Sequence, residues 1–179
     1  KVNVTGIVDE EEISSINRKI IRKSNAKCSV ENALTVLENI FDIPCEEYDI
    51  HVNFPGGAPV DGPSAGISIT CAIYSAIKGI PISNKIAMTG EISLHGEVKA
   101  VGGINAKIAA AKKAGVTKVI IPKDNWVDSH KDLEDIELIA VSHIKEVIPY
   151  IFEDKLSDNE ICIEKDNNIG IKSAKPSIV

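Results

Sequence analysis

Three observations predict an α+β domain. Four stretches have the apolar spacing of helices, short runs of β-branched and apolar residues lie between them, and a turn-forming pair, His95-Gly96, is flanked by two such runs. With 179 residues, 44% of them hydrophobic, the chain is long enough for one domain with a substantial core. It shows no internal repeat and no low-complexity run.

The first helix is predicted from a capped start at Ser29-Val30-Glu31-Asn32 to about Phe41, with Ala33, Val36, Leu37 and Ile40 on one face. Strict alternation from Tyr48 to Phe54 predicts a strand whose Tyr48, Ile50, Val52 and Phe54 face a core, leaving Asp49, His51 and Asn53 on the other side. Pro55-Gly56-Gly57-Ala58-Pro59 must be a loop, since two prolines and two glycines break helix and strand alike. From about Pro63 to Lys78 the residues are apolar nearly all round, the pattern of a buried helix, with Pro63 tolerated in its first turn and Gly79 as its stop.

Residues Lys85 to Val101 predict a hairpin turning at His95-Gly96. After Gly102-Gly103 a helix runs to about Ala114, closed by Gly115. A strand follows from Val116 to Ile121, ended by Pro122, and another from Ile136 to Val141. Ser142 is the expected cap of a last helix through about Phe152. The domain is therefore expected over residues 1–152, with a polar, flexible tail over 153–179.

Charge and cysteine usage narrow the function classes. The 26 acidic residues outnumber the 20 basic ones, for a formal charge of −6, so nothing favours binding a nucleic-acid backbone. Cys28, Cys45, Cys71 and Cys162 have neither CxxC nor Cys/His spacing, which argues against a zinc or thioredoxin-type site and for free thiols in a reducing compartment. No apolar run approaches a bilayer span and no basic-then-apolar leader opens the chain, so a soluble, cytoplasmic protein with no membrane partner is expected. The start at Lys1 without an initiator methionine suggests a piece of something longer, with an element of the domain preceding it.

Chemistry is concentrated at Asp61-Gly62-Pro63-Ser64-Ala65-Gly66, where a glycine-bearing turn enters the buried helix. A serine near a helix start is most often a cap, and the same helix end could instead hold an anion. The corner would also expose the Ser64 hydroxyl beside unpaired helical N–H groups, as an oxyanion hole requires.

Lys107 shifts the balance, because it falls inside the apolar stripe of Ile104, Ile108, Ala111 and Ala114. A snorkelling lysine is the commoner explanation of such a position. Serine, however, needs a base to remove its proton, and lysine serves only when neutral. Moving a lysine from ~10.4 to the useful ~7–8 takes about 4 kcal/mol, which burial away from water can supply.

Thr89 is expected on a strand face with Ala87, Glu91 and Ser93, where its hydroxyl could orient the amine or simply pack. Asp61 is either a turn residue or a carboxylate that would hold Lys107 protonated. His51 invites a Ser-His triad but has no obvious orienting carboxylate, which leaves it as a cleft-wall residue.

Together these residues resemble the proteolytic domain of Lon, the ATP-dependent serine protease, with the B-type branch the nearer. The resemblance is carried by Pro59-Val60-Asp61-Gly62-Pro63-Ser64-Ala65-Gly66, Thr89-Gly90-Glu91-Ile92, Gly102-Gly103 followed by Lys107, and Ala114-Gly115-Val116 through Ile120-Ile121-Pro122, within a likeness from about Val2 to Phe152. It implies a compact fold of ribosomal-protein-S5-domain-2-like architecture, with Ser64 as nucleophile and Lys107 as general base and acid. Thr89 would be a supporting hydroxyl, with Asp61, Glu91 and His51 as further supporting residues.

The resemblance further implies unfolded polypeptides as substrates and a homo-oligomeric, hexameric ring. The chain has no GxxxxGK[ST] phosphate loop. No cofactor or metal is therefore expected for this part, and ATP with magnesium is expected for an ATPase part outside it. Two rival classes are a catalytically silent assembly scaffold, which would need neither Ser64 nor Lys107, and a small-molecule kinase, which would want a richer glycine and serine run before the buried helix.

Overall fold

The computed structural model describes residues 1–6, 11–15, 18–22, 24–54, 62–133 and 135–152. The predicted 55–59 loop, Asp61, Cys162 and the 153–179 tail lie outside the described residues. Mixed helices and short strands give the expected α+β architecture. The nine strands and four α-helices described here run β1 (Val2–Gly6), β2 (Glu11–Ser15), β3 (Arg18–Arg22), α1 (Asn25–Phe41), β4 (Ile50–Phe54), α2 (Gly66–Lys78), β5 (Ile86–Met88), β6 (Glu91–Ile92), β7 (Val98–Lys99), α3 (Ile104–Lys113), β8 (Lys118–Pro122), β9 (Glu137–Val141) and α4 (Ile144–Ile151).

The framework under the candidate site is a three-stranded parallel sheet in the order β5-β8-β9. β8 is its central strand, and Val119, Ile120 and Ile121 are all buried, the continuous apolar run that a parallel strand covered on both faces requires. Alternate residues serve opposite layers. Ile120 packs with Val36 of α1, Ile67 and Cys71 of α2, and Ile144, Val147 and Ile151 of α4. Val119 and Ile121 face the other way, onto Ala111 of α3.

A second core joins α1 and α2 to Ile50 of β4 through Val30, Leu37, Ile69 and Ile73. β4 pairs in parallel with β1, and β2 with β3 antiparallel.

Several expectations are corrected. α1 begins five residues early, because Ser24, itself buried, caps it by accepting the Ala26 N–H at 3.1 Å, and Ser29 lies within the helix. Tyr48 precedes β4 and is exposed, so only Ile50, Val52 and Phe54 turn inward. The 85–101 hairpin is two structures: β6 and β7 form a short antiparallel pair around the turn, while β5 leaves for the parallel sheet. That division happens at Thr89-Gly90, which therefore does not continue one strand from Ala87 to Ser93. The cap of α4 is His143, whose Nδ1 accepts the Lys145 N–H, while the Ser142 N–H is held by Glu146.

Gly79, in the left-handed conformation at φ 67°, ends α2 as expected. α2 is not apolar on every side toward protein, since Ala72 and Ala76 are exposed.

Candidate active site

Ser64 sits in the single turn Pro63–Ala65 that leads into α2, and neither that turn nor α2 takes a side-chain cap. The commonest structural role for this serine is thus vacant. Its backbone is pinned from the neighbouring sheet: the Ser64 carbonyl accepts the Gly90 N–H at 2.9 Å and the Thr89 hydroxyl at 3.1 Å. The Gly90 carbonyl in turn accepts the Ile67 N–H at 3.2 Å.

This close approach of helix start to strand depends on Gly66. A Cβ there would lie 2.8 Å from the Ile92 backbone nitrogen and 3.0 Å from its Cγ2. The sequence reason for a glycine at this position is therefore contact with backbone.

Lys107 is delivered from the opposite side by α3. Gly103, at φ 69°, turns the chain into the helix, and its carbonyl accepts the Lys107 N–H at 3.1 Å as the first helical bond. Ile108 and Ala111 on the same stripe are buried, whereas Ala114 is exposed and Lys107 is half-buried. The Lys107 Nζ donates to Thr89 Oγ1 at 3.1 Å. Burial pushes the Lys107 amine below the ordinary lysine range, in the direction a general base needs.

Thr89 is the hinge between the two. It is buried, its N–H is fixed to the Ile120 carbonyl of the central strand at 3.0 Å, and its one hydroxyl proton goes to the Ser64 carbonyl. Its oxygen can therefore only accept from Lys107. Ser64, Thr89 and Lys107 line one cleft of about 460 Å³, walled by Ala65, Ser68, Met88 and Ala110 among others. Among the described residues no hydrogen bond joins the Ser64 hydroxyl directly to the Lys107 amine.

The remaining expected site residues fall elsewhere. Glu91 pairs with Lys99 across β6 and β7 and does not line the cleft. His51 is exposed on β4, with its Nε2 2.8 Å from the Thr5 hydroxyl. It walls a neighbouring groove rather than the Ser64 cleft, and among the described residues no triad is assembled. The expected oxyanion corner is narrower than predicted, since the Gly66 and Ile67 N–H groups already bond to the Pro63 and Gly90 carbonyls.

Two contributors were not singled out from sequence. Gly90 holds Ser64 through its N–H. Ser68 reaches the Met88 carbonyl at 3.0 Å from the cleft wall. Ser68 stands one helical turn beyond Ser64, which is the signal that would have found it. Among the described residues no group of three or more His, Cys, Asp or Glu could hold a metal ion, and no helix is long and apolar enough to cross a membrane.

Residues 12–154 match the family model of the Lon protease (S16) C-terminal proteolytic domain. Among curated proteins the chain is 55% identical over 150 residues to Lon protease 2 of Bacillus subtilis, covering 84% of this chain and 27% of that protein. It is 43% identical over 140 residues to the archaeal Lon protease of Archaeoglobus fulgidus, covering 76% and 22%. It is 43% identical over 136 residues to the Lon protease of Clostridioides difficile, covering 72% and 17%. The chain thus spans only between 17% and 27% of the length of these relatives.

Proposed function

Because this chain belongs to the family of the Lon protease (S16) C-terminal proteolytic domain, we propose that it hydrolyses peptide bonds of unfolded polypeptides with Ser64 as nucleophile and Lys107 as base. The observation that carries the reading is the Lys107 amine in a shared cleft with Ser64, depressed by burial and held by a threonine that also bonds the Ser64 backbone.

Neutral Lys107 takes the Ser64 Oγ proton as the oxygen adds to the scissile carbonyl carbon. The resulting ammonium gives that proton to the departing amine nitrogen, the C–N bond breaks, and an ester to Ser64 remains. Water then yields a proton to Lys107, adds to the ester carbon, and the Ser64 oxygen leaves and is reprotonated. Because Thr89 accepts one ammonium proton, it orients the amine without competing for the proton in transit.

The reading extends to the longer protein. The proteolytic unit covers residues 1–152, with 153–179 as its tail. An ATPase part elsewhere would use ATP and magnesium, copies would form a hexameric ring in the cytoplasm, and neither nucleic acid nor membrane would bind this domain. Family membership supports protein substrates and assembly into an oligomer, and the family match covers residues 12–154 of the proposed unit. Asp61, as a restraint on Lys107, belongs to the same proposal: Asp61→Asn would move the pH-rate profile.

The direct test is hydrolysis of an unstructured protein by the full chain and by its Ser64→Ala and Lys107→Ala variants, with circular dichroism to verify folding. Each variant is expected to be folded and inactive. Retained cleavage in either would sink the dyad.

A further inference from the structure

Lys107 reaches Thr89 only if α3 starts in the right place, and nothing local fixes that start. Among the described residues α3 takes no side-chain cap, and Gly102 and Gly103 before it are both exposed glycines, the residue type with the greatest backbone freedom. The hold comes from a residue 24 positions beyond Val101. Asn125 ends the single turn Lys123–Asn125 that follows β8. Its Oδ1 accepts the Val101 N–H at 2.8 Å, and its Nδ2 donates to the Val101 carbonyl at 3.0 Å. A side-chain amide is donor and acceptor at once, so it satisfies both backbone groups of one residue as a neighbouring strand would.

A second hold engages the helix itself. Asn105, in the first turn of α3, has its Oδ1 3.4 Å from the Nε2 of His130. His130 is buried, and its Nδ1 accepts the Val127 N–H at 3.4 Å, which leaves the ring proton on Nε2 to be donated to Asn105. Between the two holds, Trp126 meets the His130 ring edge to face, with centroids 5.6 Å apart, and packs with Ile104 against Ala111, Val119 and Ile121.

The origin of these residues matters. The Ile120 carbonyl of β8 fixes the Thr89 N–H at 3.0 Å, and the chain that leaves the same strand at Pro122 supplies Asn125 and His130. One strand thus sets both ends of the 3.1 Å bond from Lys107 to Thr89.

We propose that Asn125, seconded by His130, is a positioning residue for catalysis: it fixes the start of α3 to the end of β8 and so holds the Lys107 amine at Thr89. This role rests on the hydrolytic reading above and belongs to residues that line no part of the Ser64 cleft. Loosening the joint lets water reach the amine, and the burial that lowers its pKa weakens.

The test uses the full chain. Asn125→Ala removes both bonds to Val101, and Asn125→Asp keeps the acceptor but sets a carboxylate oxygen against the Val101 carbonyl. Both should lower kcat for an unstructured protein about tenfold or more with KM nearly kept. The acid limb of Ser64 labelling by a small fluorophosphonate should move to higher pH, since a lysine base works only when neutral. Asn105→Ala, at an exposed position where alanine is the better helix former, removes only the second hold and should move the limb the same way by less. Val30→Ala, in the core between α1 and α2, controls for lost stability and should lower Tm with the limb unmoved.

An unmoved limb in Asn125→Asp and Asn105→Ala, or an equal shift in Val30→Ala, overturns the proposal. Lys107 itself gives a readout that needs no hydrolysis. The pH dependence of its acetylation by acetic anhydride, mapped by mass spectrometry, should rise toward that of the exposed lysines in the Asn125 variants. An unchanged Lys107 titration also overturns the positioning role. A parent chain that neither cleaves protein nor labels at Ser64 removes the hydrolytic reading instead, and the Lys107 titration still decides the hold.

Discussion

Replacing Thr89 by valine isolates the one side chain that touches both halves of the candidate dyad. Valine keeps the shape and removes the hydroxyl, so two hydrogen bonds of 3.1 Å disappear, one from the Lys107 amine and one to the Ser64 carbonyl. That carbonyl keeps the Gly90 N–H at 2.9 Å and is not orphaned. A neutral hydrogen bond contributes about 0.5–1.5 kcal/mol and one to a charged group about 1.5–3 kcal/mol, partly offset here by the buried methyl, so a stability loss of about 1–2 kcal/mol is expected. For a domain of this size that corresponds to a fall of roughly 2–8 °C in Tm.

The kinetic effect should be larger than the structural one. Lys107 loses the acceptor that orients it, and kcat for an unstructured substrate should fall about 10- to 100-fold, or about 1.4–2.8 kcal/mol of transition-state stabilisation. The pH profile provides the discriminating readout. Thr89 accepts from the ammonium and so favours the charged form, whereas valine only desolvates it. The acid limb should therefore move to lower pH as the plateau drops. Thr89→Ser should restore both. Activity within about twofold of the parent with an unmoved limb would refute the reasoning, because among the described residues the Lys107 amine has no other hydrogen-bond partner.

Lys107→Arg should be inactive at every accessible pH, because guanidinium does not release its proton, and Lys107→Met should be equally inactive. The stability effect has a definite sign. Burial lowers the folded-state pKa of Lys107 below the unfolded value, so between the two the unfolded chain binds more protons and stability rises with pH through that window. Below the folded-state pKa the buried charge is a liability to the fold, and Lys107→Met should leave Tm unchanged or raised, read by calorimetry. A substantial fall would mean that the lysine is structural. Gly66→Ala should lose about 1–3 kcal/mol in a denaturant titration, since its Cβ meets the Ile92 backbone rather than a side chain that can swing away. Its hydrolysis should fall as well, because the same approach holds Ser64 to Gly90.

The elements readable from sequence were those whose signal is local. The apolar run of α2, its stop at Gly79, the glycine pair before α3 and the placement of Lys107 on that helix's apolar stripe follow from periodicity and turn chemistry within about a dozen residues. The errors have the opposite character. Ser24 rather than Ser29 caps α1, and nothing in the spacing of the two serines decides between them until Ser24 is buried with its hydroxyl on Ala26. β5 reads as one arm of a hairpin because its residues suit any strand, but its partner is β8, remote in sequence.

By itself the sequence determined the chemistry available: a serine at a glycine-proline corner, a lysine on an apolar face and a threonine in a Thr-Gly-Glu segment, in the pattern of one protease family. Only the tertiary structure decided which of these residues meet. Thr89 reaches Lys107 because its backbone is tied to Ile120 in the central strand while α3 packs on the other face of that strand. Ser64 joins them because Gly66 allows α2 to start against the Ile92 backbone. Glu91 and His51, equally plausible as letters, are carried elsewhere by the pairings of β6 and β4. Long-range backbone hydrogen bonds set these distances, and they join residues whose separation along the chain leaves no periodic trace.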